Sequence, residues 1–231
     1  MSQNDLPGYR AVALPRRPER SDAEVMEAAR AFRAEMAERH TIRDFDTRPV
    51  DRVVIEDVIL TAGSAPSGAN HQPWHFAAIS DPETKAKIRA AAEQEEARFY
   101  AGGAGDEWLS ALEPIGTGVS KPHLEDAPWL IIVFAQRFGL RQDGTRFKNY
   151  YVPESVGIAS GFLIAALHQA GLYALTHTPN PMKFLTEICG RPEHEKAIMI
   201  VAVGHAAENA QIPQKAMEKK PLEEVATFIT R

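Results

Sequence analysis

Cysteine and long apolar runs are both scarce in this sequence of 231 residues, which contains a single cysteine, Cys189. A lone cysteine excludes an intramolecular disulfide and is typical of proteins from a reducing compartment. No apolar run approaches the roughly 18 residues that a membrane-spanning helix requires. The N-terminus is polar and has no apolar signal core. We therefore expect a soluble, cytoplasmic protein that does not contact a membrane.

An excess of basic charge is also missing. The 26 Lys and Arg residues are outnumbered by 31 Asp and Glu residues, which gives a net charge of -5. The basic residues are scattered along the chain, whereas a nucleic-acid groove needs them clustered on one face. We expect no nucleic-acid partner, and any cationic site must be local.

Several enzyme motifs do not occur. The sequence has no G-x-S-x-G elbow, no Walker A motif and no G-x-G-x-x-G fingerprint, so hydrolase and Rossmann functions lack their signals. The histidines show no convincing metal spacing, because His71 and His75 are separated by Pro73 and share no helical face. We expect no metal site.

Periodic apolar residues predict alternating helices and strands. Ser21-Asp22-Ala23-Glu24 is a capping box that opens a helix to about Arg39. Asp51 opens a second helix and Asp81-Pro82 a third, which runs toward Tyr100. Apolar runs predict strands at 75–79, 129–135, 173–178 and 196–203. Residues 1–20, with three prolines, are predicted to form an extended arm, and residues 21–231 a single domain.

The segment 154–171 is apolar or small on almost every face. A helix of this kind must be buried. It either passes through the core or packs against a second copy of the chain.

The loop from Ala65 to Trp74 combines turn residues with polar groups. Pro66 and Pro73 restrict φ, Gly68 permits unusual backbone conformations, and Ser67 is one of its hydrogen-bonding side chains. Loops held between rigid elements often bind ligands, although an ordinary helix-to-strand connection is equally compatible with this composition.

Other candidate binding groups lie at the ends of predicted elements. Arg39-His40-Thr41-Ile42-Arg43 suits a phosphate, although arginines at a helix end are often simply solvated. Thr176-His177-Thr178 is a polar turn that ends a strand. Glu96 and Tyr100 share a helix face, so they either reach one ligand or form a charged solvent face.

Taken together and in order, these motifs resemble the FMN-dependent nitroreductase superfamily, and specifically its iodotyrosine deiodinase branch. Arg39-His40-Thr41-Ile42-Arg43 is similar to the superfamily's Arg-Arg-Ser-x-Arg opening. Ala65-Pro66-Ser67-Gly68-Ala69 followed by Gln72-Pro73-Trp74 resembles its loop. The likeness extends from about residue 35 to about residue 222. It implies an α+β fold with a central, mostly antiparallel sheet surrounded by helices, and an intertwined homodimer with two FMN sites at the subunit interface.

The resemblance also implies which residues bind the cofactor. They are Arg39, His40, Thr41, Arg43, Pro66, Ser67, Gly68, Thr176, His177, Thr178 and Lys219. Lys219 stands where the family commonly has arginine, so it keeps the charge but loses the bidentate fork. In deiodinase-like members a hydroxyl at the position of Thr178 hydrogen-bonds flavin N5, which implies a catalytic role for this residue and favours one-electron steps.

For the substrate, the resemblance implies that Glu96, Tyr100 and Lys121 clasp the ammonium and carboxylate of a halotyrosine under a lid at about residues 96–121. The Ala69 amide would hold the phenolate oxygen, a catalytic contribution. The expected reaction is FMN-dependent reductive dehalogenation of a halotyrosine or related halophenol, iodotyrosine giving tyrosine and iodide. Electrons would come from NAD(P)H directly or through a reductase. The alternatives are an NAD(P)H-dependent nitroreductase or flavin reductase, and a flavin-storing or flavin-sensing protein without turnover.

Overall fold

The computed structural model describes residues 8–103 and 105–230. They form two compact units, Met1–Glu38 and Arg39–Arg231. The helices are α1 (Asp22–Ala37), α2 (Arg52–Gly63), α3 (Pro82–Arg98), α4 (Asp106–Leu112), α5 (His123–Asp126), α6 (Val152–Gln169), α7 (Lys183–Ile188) and α8 (Leu222–Val225). The strands are β1 (Phe45–Asp46), β2 (Trp74–Ile79), β3 (Trp129–Gln136), β4 (Phe138–Leu140), β5 (Arg146–Lys148), β6 (Tyr173–His177) and β7 (Glu195–Ala206).

The first unit contains α1, which begins at the predicted capping box. Ser21 Oγ accepts a hydrogen bond from the Glu24 amide at 3.4 Å, and the Glu24 carboxylate accepts one from the Ser21 amide at 2.7 Å. The preceding residues 8–20 contain no helix or strand, and the rest of the predicted arm, residues 1–7, lies outside the described residues. The division into an arm over 1–20 and a domain over 21–231 stays a prediction.

In the second unit, two helices also begin where the sequence predicts them. The Asp51 carboxylate accepts a hydrogen bond from the Val53 amide at 3.0 Å, at the start of α2. The Asp81 carboxylate accepts one from the Thr84 amide at 2.8 Å, at the start of α3. Each carboxylate satisfies an amide that has no partner within the first helical turn.

The main sheet is antiparallel in every ladder, which confirms the predicted mostly antiparallel sheet. Its order is β1-β7-β3-β2, and β6 also pairs with β7. The pairs Tyr173↔Gly204 and Phe45↔Ala206 place β6 and β1 one after the other along β7. A parallel bridge between Thr41 and Ala174 then brings the segment before β1 beside β6. This connection places residues 39–43 beside β6.

Helices cover both faces of the sheet, and the side chains of β3 alternate between the two cores that result. Ile131 and Val133 pack in one core with α2 and α6. Leu130, Ile132 and Phe134 pack in the other with residues of α3, α5 and α7. A strand that is buried on both faces must be apolar throughout, which accounts for its unbroken apolar run.

Helix α6 is apolar on nearly every face, but only one face packs in this chain. Val156 and Leu163 are fully buried against the sheet, whereas Ile158 and Phe162 are 43% and 40% exposed. Exposed apolar side chains on one helix face are typical of an interface. Of the two interpretations of this segment, core packing is found on one face, and packing against a second copy stays a prediction for the other.

No helix of the described residues is both long and apolar enough to cross a membrane.

Strands β4 and β5 form an antiparallel hairpin that the sequence did not predict, since each is only three residues long.

Lys85 provides a test of how α3 is joined to α5. Its ammonium is buried and donates hydrogen bonds of 2.8 Å to the carbonyl oxygens of Glu125 and Ala127. We expect Lys85→Met to lower the free energy of unfolding by about 2 kcal/mol, because two carbonyl groups lose a charged donor. Lys87→Met on the exposed face of α3 is the control in urea denaturation. Equal effects of the two substitutions would contradict the role of Lys85.

Candidate active site

A cavity of about 780 Å³ lies between the end of α3, the segment around α4 and the end of β6. Seven of the predicted site residues line it: Arg43, Glu96, Tyr100, Lys121, Thr176, His177 and Thr178. The fold therefore brings together side chains that are far apart in the sequence.

The Glu96 carboxylate lies between two donors in this cavity. Its Oε2 is 3.2 Å from Lys121 Nζ, and its Oε1 is 3.0 Å from His177 Nε2. The Lys121 and Glu96 side chains are only 4% and 13% exposed. Burial would raise the Glu96 pKa, but the hydrogen bond from His177 and the charge of Lys121 outweigh it, so the pKa is lowered. Glu96 is thus held as a buried carboxylate.

The predicted lid contributes a second set of contacts through Thr117. Its hydroxyl oxygen accepts a hydrogen bond from Lys121 Nζ at 3.1 Å, and its carbonyl oxygen accepts one from the Tyr100 hydroxyl at 3.1 Å. Helix α3 widens into a single π-helical turn at Phe99–Gly103, which Gly102 closes with a φ of 127°. Tyr100 lies on this turn, two residues past the end of the regular helix that carries Glu96.

The backbone of Lys121 is anchored to α3 by another carboxylate. Glu93 Oε1 accepts a hydrogen bond from the Lys121 amide at 2.7 Å and one from Arg89 Nε at 2.8 Å. Burial would raise the Glu93 pKa, but these donors lower it below its usual value. Because Glu93 and Glu96 lie one helical turn apart, α3 holds both the backbone and the ammonium of Lys121.

Two buried histidines pack against each other beside Glu96. The rings of His123 and His177 meet edge to face, with their centroids 5.4 Å apart. His123 Nε2 and His177 Nδ1 are buried without a hydrogen-bond partner among the described residues. Burial lowers the His123 pKa to about 3, and the positive charges around it act in the same direction. His123 is therefore neutral at physiological pH.

The end of β6 presents alternate side chains to different surroundings. Thr176 and Thr178 are exposed, whereas His177 between them is buried, as the alternation of a strand requires. Arg43 also lines the cavity and is partly buried. Burial lowers its pKa, while Tyr100 and Asp44 act in the opposite direction. The hydroxyls and the guanidinium together form a donor-rich wall.

The remaining residues of the predicted cofactor site are distributed differently. Arg39, His40 and Thr41 are partly buried in the segment that precedes Arg43, but they do not line the cavity. Lys219 is exposed, and its ammonium donates a hydrogen bond to the carbonyl oxygen of Ala216. It also lies outside the cavity lining.

The loop of residues 65–73 is held in place by its own backbone and by α6. Ser67 Oγ accepts a hydrogen bond from the Gln72 amide at 2.9 Å, and Ser155 Oγ accepts one from the Gly68 amide at 3.3 Å. A Cβ at Gly68 would lie 2.6 Å from the carbonyl oxygen of Tyr150, so no larger residue fits without a shift. Pro66 on the same loop is exposed.

Ala69 has unusual geometry within this loop. Its φ of 51° places it in the left-handed region, which disfavours residues other than glycine. Its amide has no hydrogen-bond partner among the described residues, although the neighbouring amides of Gly68, Asn70 and His71 are bonded. The amide of Ala69 is therefore a free donor on an exposed residue of the loop.

Loop and cavity lie on opposite faces of the sheet. Ala65, at the start of the loop, packs in the core shared with α2 and α6. The cavity is formed by the end of α3, on the side of the other core, and Pro66, Ser67, Gly68 and Ala69 do not line it. One chain therefore does not bring the two parts of the predicted site together.

Three residues that hold the predicted cavity residues in place were missed by sequence reasoning: Glu93, Thr117 and His123. Glu93 lies on the same helix face as Arg89 and Glu96, and this spacing was a usable signal. Thr117 and His123 carry no sequence signal, because their contacts depend on how the lid and α5 return to α3. Among the described residues, no group of three His, Cys, Asp or Glu side chains is placed to hold a metal ion.

Comparisons with known proteins identify the family of this chain. The family model described as Nitroreductase family matches residues 36–205. An iodotyrosine deiodinase from Haliscomenobacter hydrossis is 54% identical over 185 residues, which cover 80% of this chain and 83% of that protein. An iodotyrosine deiodinase from Nematostella vectensis is 38% identical over 206 residues, 89% of this chain and 77% of that protein.

A solved structure extends the likeness to three dimensions. The crystal structure of oxidized iodotyrosine deiodinase bound to FMN and 3-iodo-L-tyrosine matches with a TM-score of 0.68 at 28% identity. The match covers 87% of this chain and 97% of that chain.

The depressed pKa of His123 predicts a specific loss of stability in acid. The ring is neutral in the fold, with a pKa of about 3, but has its ordinary value of 6.5 when unfolded. Stability is therefore complete above pH 6.5 and decreases as the pH falls, because the unfolded chain binds the proton first. Between pH 7 and pH 5 we expect this residue to remove about 2 kcal/mol from the free energy of unfolding.

The measurement is the difference in pH dependence between the wild-type protein and His123→Phe. The substitution keeps a planar aromatic ring, slightly larger than imidazole, and removes its titration. Urea denaturation at a series of pH values should give a shallower acid loss for the variant. Parallel curves for the two proteins would show that His123 is not the titrating group.

Proposed function

This chain belongs to the nitroreductase family, in its iodotyrosine deiodinase branch, and from that premise we propose that it is an FMN-dependent enzyme that reductively removes the halide from a halogenated tyrosine. The iodotyrosine deiodinases cover most of this chain's length. The solved relative binds both FMN and 3-iodo-L-tyrosine. Because these relatives are named for iodotyrosine, we propose iodotyrosine as the substrate of this chain.

The observation that carries the proposal is the Glu96–Lys121 pair in the cavity. A carboxylate and an ammonium, 3.2 Å apart and buried, can exchange partners with a ligand that carries an ammonium and a carboxylate of its own. A ligand with only one of these groups would leave a buried charge without its partner, which costs several kcal/mol. The free amino acid is such a doubly charged ligand, and Tyr100 offers a further neutral donor at the same place.

The donor set of the chain fits FMN. A phosphate needs several cationic or hydroxyl donors, and Arg39, His40, Thr41 and Arg43 supply both kinds in one short segment. We propose that these residues hold the phosphate, the ribityl chain and the pyrimidine edge, and that Lys219 completes the anion site.

The exposed end of β6 would serve the ring of the cofactor. Thr176, His177 and Thr178 would border the isoalloxazine, and Thr178 would hydrogen-bond flavin N5. When bound and reduced, FMN would supply the two electrons of the reaction. In the overall change the carbon–halogen bond breaks and the halogen leaves as halide with the bonding pair. The ring carbon gains a proton and the two electrons, which form the new carbon–hydrogen bond.

The protein's own contribution is to hold the phenol in a reactive form. We propose that the free amide of Ala69 donates to the phenolate oxygen, where a preorganised donor stabilises developing negative charge. Pro66, Ser67 and Gly68 would contact the cofactor from the same loop. The lid over residues 96–121 would exclude water once Glu96, Tyr100 and Lys121 have bound the amino-acid end.

A complete site of this kind needs a homodimer. Loop and cavity lie on opposite faces of the sheet in one chain, while α6 leaves Ile158 and Phe162 exposed on its open face. We propose that two chains associate through this face and that each loop completes the site of its partner. The electron donor, NAD(P)H directly or through a reductase, stays a prediction.

Anaerobic titration tests the proposed reaction. The FMN-loaded protein is reduced with dithionite and mixed with 3-iodotyrosine, 2-iodophenol or a nitroaromatic compound. We expect iodotyrosine to reoxidise the flavin with release of one iodide per flavin, because the cavity binds both charges of the amino acid. Reoxidation by the nitroaromatic compound alone would identify a nitroreductase. A reduced flavin inert to all three compounds would identify a flavin-binding protein without turnover.

The same assay with Glu96→Gln tests the proposed clasp. We expect kcat/KM for iodotyrosine to fall about 100-fold, since a charged hydrogen bond is lost, with little change for 2-iodophenol. The matched control is Glu95→Gln, because Glu95 lines the same cavity and pairs instead with Arg98 at 2.8 Å. A uniform loss with both substrates would contradict the clasp.

Mixed dimers test whether the loop of one chain serves the cavity of another. Glu96→Gln impairs the cavity, and Gly68→Val displaces the loop, because a Cβ there meets the Tyr150 carbonyl. Each homodimer should be inactive, while co-expression should restore about a quarter of the wild-type activity, from one intact site in each heterodimer. Sedimentation should give twice the chain mass of 25.5 kDa. A monomer, or a mixture without activity, would refute the shared site.

A further inference from the structure

His177 lies where the cofactor and the amino-acid end of the substrate would meet, but its imidazole is directed at Glu96. The two oxygens of the Glu96 carboxylate have different partners: Oε1 is 3.0 Å from His177 Nε2, and Oε2 is 3.2 Å from Lys121 Nζ. A ligand ammonium that replaces Lys121 would approach Oε2. Oε1 would keep its contact with the imidazole throughout this exchange.

The protonation of the ring follows from its partner. An ionised carboxylate can only accept hydrogen bonds, so His177 Nε2 carries a proton and donates a hydrogen bond to Glu96. On the other side of the ring, Nδ1 is buried without a hydrogen-bond partner among the described residues. The ring also packs edge to face on His123. Packing and hydrogen bonding therefore favour one ring orientation and one tautomer.

Lys121 cannot hold the carboxylate in place by itself. In the proposed exchange its ammonium leaves Glu96 for the carboxylate of the ligand. If Lys121 were the sole donor, the buried Glu96 carboxylate would then reorient or take up a proton. The imidazole removes this difficulty, because its Nε2 would stay on Oε1 and leave Oε2 to the ligand ammonium. Thr117 Oγ1 meanwhile accepts from Lys121 Nζ at 3.1 Å and offers that ammonium a second contact.

We infer that His177 is a positioning residue for substrate selection: it holds Glu96 ionised and in one orientation, so that Oε2 is free to bind the ammonium of an amino-acid ligand. The inference rests on the proposed function and adds a residue to it. In this role the imidazole of His177 acts through Glu96 on the zwitterionic end of the substrate, while the backbone of His177 remains available to contact the cofactor.

Steady-state kinetics with two substrates test this role. His177→Leu removes the donor, His177→Gln retains an N–H at similar reach, and His123→Phe changes the neighbouring ring without touching Glu96. For iodotyrosine we expect KM to rise about tenfold in His177→Leu with kcat little changed, because one hydrogen bond to a charged group is lost. For 2-iodophenol, which lacks the zwitterion, KM should stay as in the wild-type protein. His177→Gln should recover most of the loss, and His123→Phe should behave as wild type.

Two measurements do not depend on turnover. The Kd of iodotyrosine for the oxidised, FMN-loaded protein should rise about tenfold in His177→Leu and recover in His177→Gln. In the wild-type protein labelled with 15N-histidine, the signal that disappears in His177→Gln should report the Nε2–H tautomer. An Nδ1–H tautomer would overturn the inference even if His177→Leu fails to fold.

The outcomes separate this inference from the proposed function. Wild-type protein that does not release iodide from iodotyrosine would overturn both. Wild-type protein that does, combined with equal losses for iodotyrosine and 2-iodophenol in His177→Leu, would overturn the positioning role alone, because a purely structural residue affects both substrates.

Discussion

The buried carboxylate of Glu96 is the interaction on which the site depends. A charge in this position is stable only while donors surround it, so the fold must bring an ammonium and an imidazole to it from two other elements. Lys121 reaches it because Glu93 holds the Lys121 backbone against α3. His177 reaches it because β6 pairs with β7 in a register that turns this side chain inward. The sheet, α3 and the lid therefore meet at a single acidic group.

The same requirement links specificity to stability. In the proposed exchange a zwitterionic ligand would draw Lys121 away from Glu96 while His177 stays, so Glu96 would keep one of its two donors when such a ligand enters. Buried charge pairs contribute little net stability when compared with apolar packing of similar volume. In the proposed function the Glu96–Lys121 pair instead selects a free amino acid over a simple phenol.

Local signals allowed the longer helices and strands to be predicted, whereas contacts between distant elements could not be. The carboxylate caps at Asp51 and Asp81 act within one helical turn, and the apolar run of β3 follows from its burial on both faces. The shared face of Glu96 and Tyr100 follows from helical spacing alone. The contact of Glu96 with His177 joins residues 81 positions apart, and no local pattern determines which side of β6 faces α3. The short hairpin β4–β5 was missed because its strands are too brief to show an alternating pattern.

The alternation at the end of β6 has a consequence for how this protein can evolve. Thr176 and Thr178 are exposed while His177 between them is buried, so three consecutive positions that line one cavity face two sides of the strand. Deleting or inserting one residue upstream in this strand would exchange those sides, turning the hydroxyls toward the acidic group and the imidazole toward solvent. Evolution of this region is therefore restricted to substitutions that keep the strand register, and under the role proposed for His177 a substitution there would change ligand preference without disturbing the hydroxyls on either side.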